Sequence, residues 1–245
     1  MVELKNISKE YVTEDGFKKT VLKNVSCQVQ EEKITSIIAA KNSGLSTLCK
    51  IICDLETASS GEIGKDSKKK IVYLPSEPSS FPWRNVFDNV TLGQKSIDKD
   101  EIVRLIKLVG LDGYEKFHPH KDSLGFRFRI SLARSLAHKP SLIVVDDCFR
   151  SMDHQTRNEI YLLMKEVSLS ERIGFLIATT NVTEALLLSD RIYILKSQPG
   201  EVVTHFDIKK YDVSEMDSAE FISWRIRIEN EFKKITPQSL SGISI

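Results

Sequence analysis

One stretch limits the folds open to this chain more than any other: IIAAKNSGLSTLCKII, from Ile37 to Ile52. Ile34, Ile37 and Ile38 read as a buried strand, Gly44 as the pivot of a tight turn, and the residues from Ser46 onward as an amphipathic helix. A strand that turns directly into a helix aims the first backbone N–H groups of that helix at one point, which makes an anion-binding cradle. The usual pattern for a phosphate cradle is GxxxxGK[ST], whose lysine reaches the outer phosphates and whose hydroxyl holds magnesium. Here Ala39 stands at the first glycine and Leu45 at the lysine. The scaffold is kept and its charge is not. Lys41 could reach round to a phosphate, but a solvated loop lysine is the simpler reading.

With 245 residues, 41% of them hydrophobic, the chain can bury the core of one α/β domain carrying a helical insertion. Basic residues number 35 against 34 acidic ones, so no overall field favours nucleic acid or an anionic membrane surface. Cys27, Cys49, Cys53 and Cys148 form no CxxC pair, and MVELKNISKEY lacks the basic start and apolar core of a secretory signal; a reduced cytosolic setting is expected. The longest apolar runs, such as Leu142 to Val145, fall far short of the ~18 residues a spanning helix needs. Work at a membrane would be that of a peripheral subunit.

In chain order, VELKNI, Thr20 to Val29 and Lys33 to Ile38 read as antiparallel strands leading into the first parallel one, with Tyr11 in the loop between the first two. ETASSGEI is a turn and an edge strand, and Lys68 to Pro75 is a further strand with a solvated basic entrance. Ser76 to Leu92 is dense in proline and aromatics without periodicity, as expected of a loop that presents side chains. Asp98 with Glu101 forms a capping box before Ile102, Leu105, Ile106 and Val109, and Gly110 closes that helix. Ser123 caps a helix that Pro140 stops. His118 and His120 lack a third ligand nearby and read as surface groups.

Ser141 to Asp147 is a continuous apolar run ending in two acids, the pattern of a central parallel strand whose carboxyl end faces ligands. A helix with Ile160, Leu163, Met164 and Val167 on one face follows, then a core strand from Gly174 to Thr180 and a helix from Val182 to Leu188. Asp190 to Lys196 and Glu201 to Asp207 form a hairpin around Gln198 to Gly200. A last helix runs through Phe221, Trp224, Ile228 and Phe232, and 236–245 is a flexible tail.

Taken in order, Tyr11, the loop Ala39 to Thr47, the loop at Ser76, the helix at Ser123, the strand ending at Asp146, Ser151-Met152-Asp153 and Thr180 resemble the landmarks of an ABC transporter nucleotide-binding subunit. The resemblance covers essentially the whole chain. EPSSFPWRNVFDNV and DCFRSMDHQTR are similar to segments of importers of the nitrate, sulfonate, taurine and bicarbonate type. It implies an α/β P-loop ABC ATPase fold, with a mostly parallel core sheet, an N-terminal antiparallel β part and a small helical subdomain at about 93–139. A single nucleotide-binding domain over 1–235 would end in a hairpin and helix at about 190–235.

The resemblance also assigns roles. Tyr11 would stack on adenine, though it reads equally as a half-exposed tyrosine. Asn42, Ser43, Gly44, Ser46 and Thr47 would surround the phosphates of ATP or ADP, and Ser46 with Asp146 would hold magnesium. Ser123, Gly125 and Asp153 would contact the nucleotide of a partner subunit. Ser76, Glu77, Pro78, Phe81, Pro82 and Trp83 would dock on a transmembrane subunit.

The departures from the family pattern fall on chemistry. Leu45 replaces the phosphate-binding lysine, Ser76 the glutamine that joins magnesium to the transmembrane contact, Asp147 the general-base glutamate and Thr180 the switch histidine; the signature reads Asp122-Ser123-Leu124-Gly125-Phe126. A charge-assisted bond to phosphate contributes about 1.5–3 kcal/mol, so Leu45 alone should weaken ATP binding by roughly one to two powers of ten. Withdrawing a base by about 1 Å can cost about 100-fold in rate. Losing one preorganised polar group costs about 10²–10³-fold.

The implied function is a degenerate, non-hydrolysing subunit of a heteromeric ABC importer. It would sit on the inner face of the membrane, paired with an intact ATPase and docked on a permease, with nucleotide and magnesium weak or absent at its own site. No catalytic residue is expected at Leu45, Ser76, Asp147 or Thr180. The alternatives are a regulatory or structural ABC-fold module that drives no transport, and a working ATPase with deviant motifs.

Overall fold

The computed structural model describes residues 1–77, 79–119, 124–209 and 211–235. The elements in chain order are β1 (Val2–Val12), β2 (Lys18–Val29), β3 (Ile34–Ala39), α1 (Leu45–Ile52), β4 (Ser60–Gly64), β5 (Ile71–Leu74), α2 (Val86–Val90), α3 (Lys99–Leu108), α4 (Leu124–Ala137), β6 (Leu142–Asp146), α5 (His154–Ser170), β7 (Gly174–Thr179), α6 (Val182–Leu188), β8 (Arg191–Lys196), β9 (Glu201–Asp207) and α7 (Ala219–Ile235). The chain divides into two units, one of Met1–Val2, Val29–Ile34 and Lys65–Ile177, the other of Glu3–Gln28, Thr35–Gly64 and Ala178–Ile245.

In the second of these units, β1 pairs antiparallel with β4, and the order β2-β1-β4 forms the N-terminal sheet. Its strands alternate: Leu4 and Ile7 of β1 and Leu22, Val25 and Cys27 of β2 point inward between exposed residues. β3 has no such alternation. All six of its residues are buried, and it runs parallel to β8, whose other edge pairs antiparallel with β9. A parallel strand covered on both faces needs an unbroken apolar run, which ITSIIA supplies apart from two small hydroxyls. The Ser36 hydroxyl is bonded to that of Ser189 at 2.5 Å. Phe221 and Ile228 anchor α7, with Tyr211 edge-on to Phe221 at 5.3 Å.

In the other unit, β5 and β6 run parallel and β7 lies on the far side of β6. Leu142 to Val145 are all buried, as are Phe128 of α4 and Tyr161 of α5, which both pack on Phe149 at ring distances of 5.6 and 5.4 Å. Arg104 binds Glu101 at 2.7 Å and Glu171 at 2.7 Å, joining α3 to the end of α5.

The α/β architecture, with parallel core pairings and an antiparallel N-terminal sheet, is the one expected. Three local expectations are corrected. Tyr11 lies inside β1, because the turn chemistry falls later, with Thr13 N–H bonded to Phe17 O at 2.9 Å. The segment after Ser76 contains α2, nucleated by Asn85, whose side chain accepts from Asp88 N–H at 2.7 Å. Asp98 does cap α3 through Glu101 N–H at 3.2 Å, but the Glu101 carboxylate is taken by Arg104. Pro78, His120, Asp122, Ser123 and the tail lie outside the described residues.

Candidate functional site

The cradle belongs to the unit that holds β3 and α1. Asn42 (φ 61) and Gly44 (φ 84) both take the left-handed conformation, and Leu48 N–H bonds to Gly44 O at 2.9 Å to open the helix. Gly44 has no choice of residue type: a Cβ there would stand 2.7 Å from Val21 Cγ1 and 2.9 Å from Val21 O. No side chain caps α1 at Gly44 and no acid lies in its first turn, so no fixed negative charge of the helix opposes an anion. Ser46 is exposed and Thr47 half-buried, while Ser43 is buried.

Leu45 occupies the place of the expected lysine and is only 9% exposed. It belongs to the apolar face of α1 with Leu48, Cys49, Ile51 and Ile52. The residue therefore contributes to the core.

Tyr11 is partly exposed, and the Lys9 ammonium stands 4.9 Å over its ring centroid. That ammonium is itself held by Glu56 at 2.6 Å and by Thr57 O at 2.7 Å. The hydrogen bond from Lys9, foremost, and one from Tyr11 hold the Glu56 carboxyl below its usual range. One face of the ring thus already carries a cation. In the same unit Thr180 is half-buried at the mouth of α6, where Asn181 caps Thr183 N–H at 2.9 Å and Thr179 donates to buried Glu184 at 2.5 Å.

The acids belong to the other unit. Asp146 ends β6 and is buried, and the Tyr73 hydroxyl donates to it at 2.7 Å. Asp147 follows with a left-handed φ of 51 and is ion-paired with Arg150. A carboxylate that accepts from Tyr73 keeps further acceptor capacity on its other lone pairs. Among the described residues no group of three or more His, Cys, Asp and Glu side chains forms a metal cluster.

Gly125 and Asp153 are brought together by Thr156. Asp153 caps α5, accepting from Thr156 N–H at 2.9 Å and from its hydroxyl at 2.6 Å. The hydroxyl bond, first, and the N–H bond hold the Asp153 carboxyl below its ordinary value. A Cβ on Gly125 would lie 2.5 Å from Thr156 Cγ2. All three residues line an open groove of about 870 Å³, with Tyr114, Phe126 and Arg129 on its walls.

The Ser76 loop is organised by Asn89, a residue that no sequence motif singles out. Asn89 is fully buried; its amide oxygen accepts from Phe81 N–H at 2.8 Å and its amide nitrogen donates to Phe81 O at 3.0 Å and Arg84 O at 2.9 Å. Arg134 of α4 binds both the Asn89 carbonyl at 2.8 Å and its side chain at 3.0 Å, and its guanidinium lies over the Phe81 ring. Burial lowers the pKa of Arg134 from its ordinary value. On this frame Ser76, Glu77 and Pro82 are exposed, Phe81 is half-buried, and Trp83 is 71% exposed.

Comparison with known proteins places this geometry in context. A family model described as ABC transporter matches residues 22–150. An uncharacterized ABC transporter ATP-binding protein of Methanocaldococcus jannaschii is 30% identical over 240 residues, covering 92% of this chain and 89% of that protein. The aliphatic sulfonates import ATP-binding protein SsuB of Bacillus thuringiensis subsp. konkukian is 30% identical over 210 residues, covering 82% and 83%. Among solved structures, cbiO1 of Clostridium perfringens, part of the cbiONQ ABC transporter complex, superposes with a TM-score of 0.76 at 19% identity, covering 95% of this chain and 97% of that one. A dimeric ATP-binding cassette bound to ADP and Pi does so with a TM-score of 0.72 at 24% identity, covering 86% and 100%.

Proposed function

This chain belongs to the ABC transporter family, and we propose that within it the chain is a degenerate, non-hydrolysing nucleotide-binding subunit of a heteromeric importer. It pairs with an intact ATPase subunit and couples that partner's ATP use to solute uptake from the cytoplasmic face of the membrane. The importer assignment is supported by the SsuB relatives. Among the described residues no helix is long and apolar enough to cross a membrane.

The observation that carries the reading is the burial of Leu45: the side chain that should meet the outer phosphates is turned into the core. Asn42, Ser43, Gly44, Ser46 and Thr47 keep a cradle of backbone and hydroxyls that binds ATP or ADP weakly, with Tyr11 beside the base. Magnesium, when bound, would neutralise charge on the outer phosphates, and within the cradle's own unit the Ser46 hydroxyl is the hard oxygen donor offered to it. Asp147 is engaged by Arg150, and Thr180 has no imidazole to offer. Gly125 and Asp153, with Ser123 by its place in the sequence, would contact the partner's nucleotide, and the frame around Asn89 presents Ser76, Glu77, Phe81, Pro82 and Trp83 to the permease.

The test is an ATPase and ATP-binding assay on the purified chain, on Leu45→Lys, and on the chain co-purified with a candidate ATPase partner. Turnover by the isolated chain is expected to be negligible, and Leu45→Lys should tighten ATP binding by roughly ten- to a hundredfold. Robust turnover by the isolated parent chain refutes the proposal.

A further inference from the structure

The turn of the β8–β9 hairpin is bonded into the supports of the cradle. Gly200 N–H donates to Val21 O at 2.8 Å and Lys23 N–H donates to Gly200 O at 2.8 Å, which makes a one-residue parallel bridge between Leu22 and Gly200. Val21 and Leu22 are also the residues against which Gly44 is pressed. The hairpin tip and the cradle turn therefore meet the same short piece of β2.

The two also meet each other. A Cβ on Gly200 would fall far inside contact distance of the Ser43 carbonyl oxygen, and 2.9 Å from Leu22 Cδ2. Backbone stands against backbone at Ser43, so no side-chain rotation could make room. Ser43 is 2% exposed and sits between Asn42 and Gly44, the two left-handed residues that set where the N–H groups of the loop point. A displacement of the Ser43 carbonyl is thus a rotation of the adjoining peptide of the cradle.

We propose that Gly200 is a positioning residue of the cradle. By lacking a side chain it lets the hairpin tip buttress the Ser43 carbonyl and so fixes the turn on which the anion-binding N–H groups converge. The functional sense of this role rests on the reading of Ala39 to Thr47 as a nucleotide cradle. It also makes the hairpin a lever on that cradle, since whatever shifts the tip must shift Ser43.

The test is amide hydrogen exchange on the ligand-free full chain. In Gly200→Ala, residues 42–48 are expected to exchange about tenfold faster while amides of β6 and β7 keep their parental rates. Gly64→Ala, whose Cβ meets nothing nearer than 3.7 Å, should leave the loop unchanged. Lys23→Pro deletes the N–H bond to Gly200 O without adding an atom against Ser43, and should also speed exchange in 42–48, by about threefold or more. Loop exchange within about twofold of the parent in both variants, or an equal rise at every amide, overturns the proposal. In the Leu45→Lys background, Gly200→Ala should weaken ATP binding by about tenfold, and unchanged affinity overturns the positioning role. The exchange measurement is made without nucleotide, so its outcome is independent of whether the chain hydrolyses ATP.

Discussion

The hydroxyl of Tyr73 donates to a carboxylate oxygen of Asp146 at 2.7 Å, tying the acid that ends β6 to the neighbouring parallel strand β5. Asp146 is 3% exposed, and a buried carboxylate must be met by donors. Tyr73→Phe removes one donor and little volume. It should cost about 1.5–3 kcal/mol of stability at neutral pH, read as a lowered urea midpoint at unchanged m value. An unchanged midpoint would mean that Asp146 does not depend on this bond.

The family resemblance implies for Gly125 a contact to a partner's nucleotide, yet its missing side chain already has a use within this chain. A Cβ there would lie 2.5 Å from Thr156 Cγ2, so Gly125→Ala should destabilise by about 1–3 kcal/mol through overpacking. Thr156→Ser deletes that methyl group and keeps the hydroxyl that bonds Asp153. The double variant should recover most of the loss in thermal unfolding. Failure to recover would point to a role for Gly125 other than accommodating Thr156.

Asp153 gives the start of α5 a defined acid dependence. Its carboxyl is held below the ordinary value, chiefly by the Thr156 hydroxyl bond. A depressed folded-state pKa contributes stability that is present above the unfolded value and is lost as pH falls through the folded one. The contribution is therefore full at neutral pH and fades as pH drops below the ordinary value of 3.8. Asp153→Asn keeps a capping oxygen and does not titrate. The difference in Tm between parent and variant should be largest near pH 7 and close as the acid range is entered; a difference constant with pH would contradict the assignment.

Where one stretch of chain carries its own instructions, the sequence was a good guide. Ile34 to Ile52 reads as strand, turn and helix because its periodicity and Gly44 are local, and the helix after Ser151-Met152-Asp153 is legible because Ile160, Leu163, Met164 and Val167 recur on one face. The Tyr73–Asp146 bond was not legible, since it depends on which strand lies beside β6. Nor was the role of Asn89, a polar residue in an aperiodic segment whose importance comes from burial and from Arg134 on a helix far along the chain. Tyr11 lies in β1 and not in the loop expected from the sequence because the turn begins only at Thr13, and Arg104 takes the Glu101 carboxylate because a guanidinium one turn on outcompetes a backbone N–H. Leu45 is legible as an apolar residue where the phosphate-loop pattern has lysine, and in the structure its side chain is part of the α1 apolar face.

The buried amide of Asn89, stitched to Phe81, Arg84 and Arg134, has an entropic consequence for anything that lands on Trp83. Fixing the backbone of a wandering segment takes roughly 1–2 kcal/mol per residue from an encounter. Here that ordering is completed when the chain folds, so the exposed indole is offered from a stiff mount and a visitor's contact energy goes into holding on.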